Sequence, residues 1–249
     1  MMAVKLAQKS TENFQYHEHD NGLKYERHDY FSPEKDPELS PQSYLIKQLA
    51  KVVNPLHFHM QNQFQVFIEG SGQFGKHPIN PYVVHYAGAY TGYGPIIAGN
   101  HGLHYLTLRC SHDFGAKFLP AQMTHFKKGP KHHFTSASIP LDSLKELQQI
   151  AHPMLEDIHV ETKTSLAIRV LKIPPESSYQ LEVPELSAGI FLVMMQGSIL
   201  EGTETLTKNE SIFVSHATNH YLIKTKLQSA QILVLQMPFK NQAYLSSTP

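Results

Sequence analysis

Short apolar runs separated by turn residues recur along most of the chain. From Ser43 onward they include SYLIKQLAKVV, QFQVFIEG, YVVHYAGAY and LHYLTLRC, and they resume with SLAIRVLKI, GIFLVMMQGSIL, SIFVSHA and AQILVLQMPF. Runs of this length that are rich in Val, Ile, Phe and Tyr are typical of β-strands. Because the second series repeats the order and lengths of the first, the pattern predicts an all-β protein made of two similar sandwich or barrel units.

Two segments depart from this pattern. Residues 1–40 are polar and rich in turn formers, which indicates an irregular N-terminal arm with at most one short strand. Between residues 121 and 160, apolar residues recur at helical spacing from Leu141 to Ile150, and Ser143 with Glu146 fits a capping box. The predicted division is therefore an arm over 1–40, a barrel over 41–120, a connector with a short helix over 121–160 and a second barrel over 161–249.

The balance of charged residues and the lack of long apolar runs argue against several classes of protein. The 249 residues carry 21 Lys plus Arg and 21 Asp plus Glu. A net charge of zero argues against nucleic-acid or anionic-membrane binding. No run approaches the roughly 18 apolar residues of a membrane span, and the start MMAVKLAQKSTENF has no apolar signal core. We therefore expect a soluble, cytoplasmic protein.

The cysteine and histidine counts point away from sulfur chemistry and toward imidazole chemistry. Cys110 is the single cysteine, so it forms no intramolecular disulfide, and dithiol and zinc-finger sites are excluded. The sequence has 17 histidines and no tryptophan. Histidine in excess serves metal ligation, proton transfer or pH sensing, which makes histidine clusters the first places to look for function.

One such cluster is the stretch HFHMQNQFQVFIEGSG, which contains His57, His59 and Gln63. Residues two apart on a strand face the same side, so His57 and His59 point into the same space and Gln63 opens the next strand beside them. Two imidazoles with an oxygen donor suit a metal that keeps open positions for a substrate.

Here the sequence resembles the cupin superfamily, whose first motif is Gly, five residues, His-x-His, three or four residues, Glu, six residues and Gly. In that resemblance His57 and His59 take the histidine ligand positions, Gln63 the glutamate position and Gly70 the closing glycine, while Lys51 stands in place of the leading glycine. The resemblance implies a jelly-roll barrel and one divalent transition metal, Fe, Mn, Ni or Zn, held by His57, His59 and Gln63.

The second cupin motif normally supplies one further histidine ligand, and the first half departs from it. Its usual position falls at Gly92 or Tyr93. Tyr93, His101 or His104 would therefore complete the site that the resemblance implies.

The second half resembles a cupin more faintly. Asn209 takes a glycine position and His220 a ligand position, but Pro184, Leu186 and Ile190 stand where the first-motif ligands belong. The resemblance thus implies a bicupin, two jelly-roll barrels in one chain with a short connecting helix, of which at most the N-terminal one holds metal. We expect the apolar residues to fill the C-terminal barrel and His220 to be structural.

Strand parity predicts the walls of the N-terminal pocket. Gln65 and Phe67 share the side of Gln63. The other expected lining residues are Tyr86, Tyr90, Tyr93 and His101. Arg109, which ends LHYLTLR, either fixes a carboxylate bidentately or is a solvated surface charge.

Two functions follow from the resemblance. The first is a metal-dependent enzyme of oxygenase, isomerase or decarboxylase type acting on a small organic molecule. The second is a non-catalytic, small-molecule-binding bicupin without metal, because Gln63 carries one negative charge less than the usual glutamate and weakens cation binding. We also expect a homodimer, because Phe64, Val66 and Ile68, together with GIFLVMM, offer more apolar strand surface than one pocket needs.

Overall fold

The computed structural model describes residues 4–9, 13–31 and 40–245. Its strands, in chain order, are β1 (Val4–Ala7), β2 (Asn13–Glu18), β3 (Lys24–Asp29), β4 (Gln42–Gln48), β5 (Val53–Asn54), β6 (His57–Phe58), β7 (Gln63–Phe74), β8 (His77–Ile79), β9 (Val84–Ala87), β10 (Ile96–Arg109), β11 (Lys117–Phe118), β12 (His133–Thr135), β13 (Met154–Glu161), β14 (Leu166–Ile173), β15 (Ser178–Glu182), β16 (Ser187–Glu201), β17 (Glu204–Thr207), β18 (Ser211–Ser215), β19 (His220–Lys224) and β20 (Ala230–Pro238). The helical elements are α1 (Leu144–Gln149) and 3-10 turns at Met123–His125 and Gln242–Tyr244. The predicted all-β class is confirmed.

Contacts divide the described residues into two units. The N-terminal unit comprises residues 13–139 and 240–245, and the C-terminal unit comprises residues 4–9 and 140–239. Each end of the chain therefore belongs to the unit formed by the other half. These bounds differ from the sequence-based ones, because β12 joins the first sheet and β13 the second, so residues 121–160 are shared between the units and form no separate connector.

The N-terminal arm is not irregular where the structure describes it. It forms β1, β2 and β3, and the β2–β3 hairpin extends the sheet of β4. The sequence did not reveal these strands, because β2 is largely exposed on both faces and so lacks an apolar side. Its Phe14 is 53% exposed and its Tyr16 is 51% exposed. Residues 1–3, 10–12 and 32–39 of the predicted arm lie outside the described residues.

The sheet of the N-terminal unit runs β12-β9-β7-β10-β4-β3-β2. Thr107 on its central strand β10 lies opposite Gln65 of β7 and Tyr44 of β4. Alternate residues share a face, so Arg109, two positions later, projects to the same side as Thr107. This inner face therefore carries polar side chains at its centre, although Phe67, Leu103 and other apolar residues pack around them.

Two equivalent glycines support the internal repeat. Gly70 in β7 has φ +80°, and a Cβ there would lie 2.2 Å from the backbone oxygen of Gly102. Gly197 in β16 has φ +76°, and a Cβ there would lie 1.8 Å from the backbone oxygen of Ser229. Only glycine fits where backbone approaches so closely at positive φ. Asn209, the predicted glycine substitute, adopts the same left-handed region with φ +69°.

The predicted helix α1 forms with its capping box. Ser143 Oγ accepts the backbone N–H of Glu146 at 3.2 Å, and a Glu146 carboxylate oxygen accepts the backbone N–H of Ser143 at 2.7 Å. Leu147 is the buried residue of this short helix. Among the described residues, the structure contains no helix of the length and hydrophobicity needed to traverse a lipid bilayer.

The C-terminal unit is filled by an apolar cluster that includes Leu171, Ile190, Leu192 and Ile232. Ile190 behaves as expected, but Leu186 is 74% exposed and Pro184 is only partly buried, so these two do not fill the barrel. Both precede β16, whereas Ile190 lies within it. His220 is exposed at the start of β19.

The strand surface expected to form a dimer is already buried within the chain. Phe64 and Val66 are 0% exposed and Ile68 is 7% exposed, and the run from Ile190 to Met195 is equally buried. Those side chains therefore have no apolar area left for a second copy.

Candidate functional site

A cavity of about 310 Å³ lies within the N-terminal unit. His57 and His59 line it, as do Gln65 and Tyr93, so four of the residues expected at the site are brought together. Gln63 is fully buried beside them and donates from Nε2 to the Tyr93 hydroxyl. The volume is at the lower end of the range typical of small-molecule pockets.

Other expected pocket residues lie elsewhere. Tyr86 packs on Phe64, on the opposite face of the sheet, and Tyr90 packs on Phe58 and Tyr244 in a separate cluster. Phe67 belongs to the apolar core beside the cavity. His101 is exposed on β10, and His104 hydrogen-bonds Glu69 at the surface, so neither completes the site. Tyr86 was misplaced because it alternates with His85 on β9 and so faces away from Gln65, and Tyr90 was misplaced because it lies in the loop after β9, where strand alternation no longer applies.

Arg109 is the central charged group, and it is buried among protein acceptors instead of solvated. It is 1% exposed and donates to Gln63 Oε1 from Nε at 3.1 Å and from Nη2 at 2.6 Å. Its Nη1 donates to Gln42 Oε1 at 3.1 Å and to the Tyr44 hydroxyl at 2.6 Å. Although burial opposes its charge, the neighbouring Tyr44 and Asp113 raise the pKa of Arg109, which stays cationic.

His59 forms a dyad with Asp113. Its Nδ1 lies 2.6 Å from Asp113 Oδ1 and 3.1 Å from Arg109 Nη2. Burial would raise the pKa of Asp113, but His59, Arg109 and the backbone N–H of Gly115 hold it well below its usual range. Burial and the Arg109 charge lower the pKa of His59 to about 4. A neutral imidazole beside an ionised carboxylate donates from Nδ1 and keeps its Nε2 lone pair.

His57 is held in the same tautomer by a different acceptor. Its Nδ1 lies 2.6 Å from the Pro55 carbonyl oxygen, and burial lowers the pKa of His57 to about 3. Neither Nε2 atom has a hydrogen-bond partner among the residues that the structure describes. The two imidazoles therefore offer lone pairs that can accept a hydrogen bond or a proton.

Comparison with solved structures settles the architecture. The chain superposes on a proposed dioxygenase from Nostoc punctiforme with a TM-score of 0.63 and 12% identity, covering 99% of this chain and 87% of that one. It superposes on a Lactobacillus farciminis oxalate decarboxylase in complex with formate with a TM-score of 0.58 and 11% identity, covering 100% and 91%. A Bacillus subtilis oxalate decarboxylase matches with a TM-score of 0.57 and 10% identity, covering 96% and 77%. The chain has the bicupin fold.

At these identities the likeness shows the fold alone, and no protein-family model and no curated protein sequence matches the bicupin. The two-barrel architecture predicted from the repeated order of strand-length runs and from the cupin resemblance is thereby confirmed.

The residues of this bicupin do not make a complete site for the divalent metal that its fold implies. Gln63 Oε1 already accepts two hydrogen bonds from Arg109. Burial raises the pKa of Tyr93 well above its usual value, so its phenol stays protonated and is a poor ligand. Within the described ranges, no group of three His, Cys, Asp or Glu side chains is placed to hold a metal ion. The guanidinium also repels a second cation near His59.

Sequence reasoning missed several residues of the site. Asp113, which lies against His59, follows β10 in a loop where nothing in the sequence marks it. The cavity itself is also lined by His17, Tyr25 and Arg27 of the β2–β3 hairpin, although their segment was predicted to be an irregular arm. The signal that could have identified this strand is the alternation in KYERHD, which places Tyr25 and Arg27 on one face.

Proposed function

We propose that this bicupin binds a small organic molecule in the cavity of its N-terminal unit without a metal ion. The observation that carries the proposal is the double hydrogen bond from Arg109 to Gln63 Oε1, the atom that stands where a cupin normally presents a carboxylate to its metal. The buried guanidinium supplies a permanent positive charge there. The guanidinium donates hydrogen bonds to Gln63, Gln42 and Tyr44, whose oxygens surround it as ligand oxygens surround a metal cation.

The cavity has the composition of a ligand site. Aromatic rings of Tyr25, Tyr93 and Tyr105 form its walls, and polar groups of His57, His59 and Gln65 converge on it. A concave, largely preformed pocket with a few placed polar groups is the usual form of a small-molecule site.

Thermal denaturation of EDTA-treated protein tests this function. The compounds are amino acids, dicarboxylic acids, polyols and monosaccharides, and Ala116→Trp blocks the cavity because Ala116 lines it. The matched control is Ala217→Trp, at an exposed position of the C-terminal unit. We expect at least one compound to raise the melting temperature of the wild type and of Ala217→Trp but not of Ala116→Trp. A panel without any such shift contradicts the proposal.

One observation favours the alternative of a metal-dependent enzyme. His57 and His59 each have Nδ1 fixed by an oxygen and Nε2 free, as metal-binding histidines do. The reaction would then be of oxygenase, isomerase or decarboxylase type, and the metal Fe, Mn, Ni or Zn. Elemental analysis of tag-free protein distinguishes the two: one ion per chain that is lost in the folded His57→Ala/His59→Ala variant would establish the alternative. The cytoplasmic location and the homodimer stay predictions.

A further inference from the structure

A row of polar side chains crosses the inner face of the N-terminal sheet. His85 of β9 lies opposite Gln65 of β7, which lies opposite Thr107 of β10, which lies opposite Tyr44 of β4. All four are buried. Residues in register on one face of a sheet are side-by-side neighbours, so the row forms one continuous polar strip, and Gln65, Thr107 and Tyr44 line the cavity.

Two amides at this cavity have an atom without a protein partner. Gln65 is 3% exposed and Asn54 is 7% exposed, yet Gln65 Oε1 and Asn54 Oδ1 accept no hydrogen bond from the described residues. A buried polar atom left unpaired is destabilising, and native structures hold few of them. Both side chains line the same cavity, so one bound molecule contacts both; their unpaired oxygens are themselves enclosed and reach it only when the amides turn.

The cavity wall adds two further acceptors, and the arginines among its described residues are already engaged. His57 and His59 each hold Nδ1 against an oxygen acceptor, which leaves Nε2 to accept a hydrogen bond. Arg27 donates from Nε and Nη2 to Asp29, with the shortest distance 2.6 Å, and Arg109 is surrounded by its own acceptors. A ligand carboxylate would therefore meet arginines that are already engaged, together with four acceptor atoms that repel it.

We propose that the ligand is a neutral, polyhydroxylated small molecule, a polyol or a monosaccharide. This inference rests on the proposed function. Hydroxyl groups of the ligand donate to Gln65, Asn54 and the two imidazoles and can also accept from an amide N–H. The rings of Tyr25 and Tyr105 give apolar surface for its C–H groups.

Calorimetric titration of EDTA-treated protein with ribitol and D-glucose, and separately with succinate and malate, tests the ligand class. We expect binding of a polyol or sugar and none of the dicarboxylates. Gln65→Met conserves volume and removes the amide, and we expect it to weaken binding about tenfold, as does Asn54→Leu. The matched control Gln180→Met, at an exposed position of β15, should bind like the wild type.

Stability provides a second readout, which separates recognition from a structural role. Because Gln65 Oε1 has no partner, Gln65→Met should raise the melting temperature of the ligand-free protein while weakening binding. A lower melting temperature with unchanged affinity would show that Gln65 serves the fold, for instance by hydrogen-bonding His85, and would overturn the inference. Dicarboxylate binding without polyol or sugar binding would overturn it too and leave the proposed function standing. No binding of any probe, and no shift in the wider thermal panel, would defeat both.

Discussion

Arg109 donates twice to the side-chain oxygen of Gln63, from Nε at 3.1 Å and from Nη2 at 2.6 Å. The same glutamine donates its amide N–H to Tyr93, so one side chain connects the buried cation to the cavity wall. A carboxylate in its place would pair with Arg109 but would have no N–H for the phenol. Glutamine therefore suits a site built around a guanidinium.

Removing the guanidinium should destabilise the protein strongly. Arg109→Met leaves Gln63, Gln42 and Tyr44 without their donors and Asp113 without a nearby cation, so we expect a loss of about 3 to 5 kcal/mol in the free energy of unfolding. Urea denaturation measures it. Arg169→Met is the control, because Arg169 pairs with the largely exposed Asp157 and should lose about 1 kcal/mol or less. Equal losses in the two variants would contradict a central role for Arg109.

Restoring a carboxylate and removing the guanidinium should together create metal affinity. We expect Gln63→Glu/Arg109→Met to retain close to one Mn²⁺ or Zn²⁺ ion per chain after desalting, and to melt at a higher temperature when that ion is added. Gln63→Glu alone should retain little, because Arg109 pairs with the new carboxylate. Elemental analysis measures the content. Equal metal in the wild type and the double variant would refute the argument that Arg109 excludes the cation.

Acid should destabilise the N-terminal unit through its buried imidazoles. Burial lowers the pKa of His57 to about 3, of His59 to about 4 and of His85 to about 3, from an ordinary 6.5. The unfolded chain takes up these protons first as the pH falls, so stability is complete above about pH 6.5 and declines toward pH 4. Between about pH 6.5 and pH 4, the free energy of unfolding should fall by an amount on the order of several kcal/mol.

Urea denaturation at pH 7, 6, 5 and 4 measures this decline. His85→Gln should make the curve shallower by about one third, since one of three imidazoles is removed. His77→Gln, at an exposed site, should leave it unchanged. A flat wild-type curve would show that these imidazoles are accessible to protons in the folded protein.

The glycine that closes the first motif should tolerate no side chain. Gly70→Ala places a methyl group against the backbone oxygen of Gly102. We expect this variant to lose about 3 kcal/mol in the free energy of unfolding. Gly22 serves as the control, because it has a similar φ of +83° but nothing within 4 Å of an added Cβ. Gly22→Ala should therefore lose only about 1 kcal/mol in the free energy of unfolding. Denaturant midpoints compare the two variants, and similar values would argue against the close approach.

Local patterns predicted the architecture well. Alternation and turn residues indicated two β units, and the spacing of Ser143 and Glu146 indicated the helix start, because these features depend on neighbours in sequence. His57 and His59 line the same cavity, as expected from their spacing, although β6 ends at Phe58 and only His57 lies on the strand.

The electrostatics of the site could not be predicted in this way. Whether a strand-end arginine meets water or a glutamine depends on contacts between β10, β7 and β4, which a single sequence does not reveal. Asp113 reaches His59 from a loop 54 positions away. The hairpin of β2 and β3 was missed because a strand that faces solvent and a polar cavity lacks the apolar alternation by which strands are recognised.

The exchange of chain ends between the units has a consequence for synthesis on the ribosome. Strand β1 is made before residues 13–139 of the N-terminal unit, but its partner β18 emerges only after those residues and most of the C-terminal unit. The N-terminal unit in turn receives Tyr244 only after β18 and β20 have been made. Neither barrel can therefore be completed before residues 211–245 have left the ribosome, and a ribosome-stalled chain lacking them should leave both incomplete.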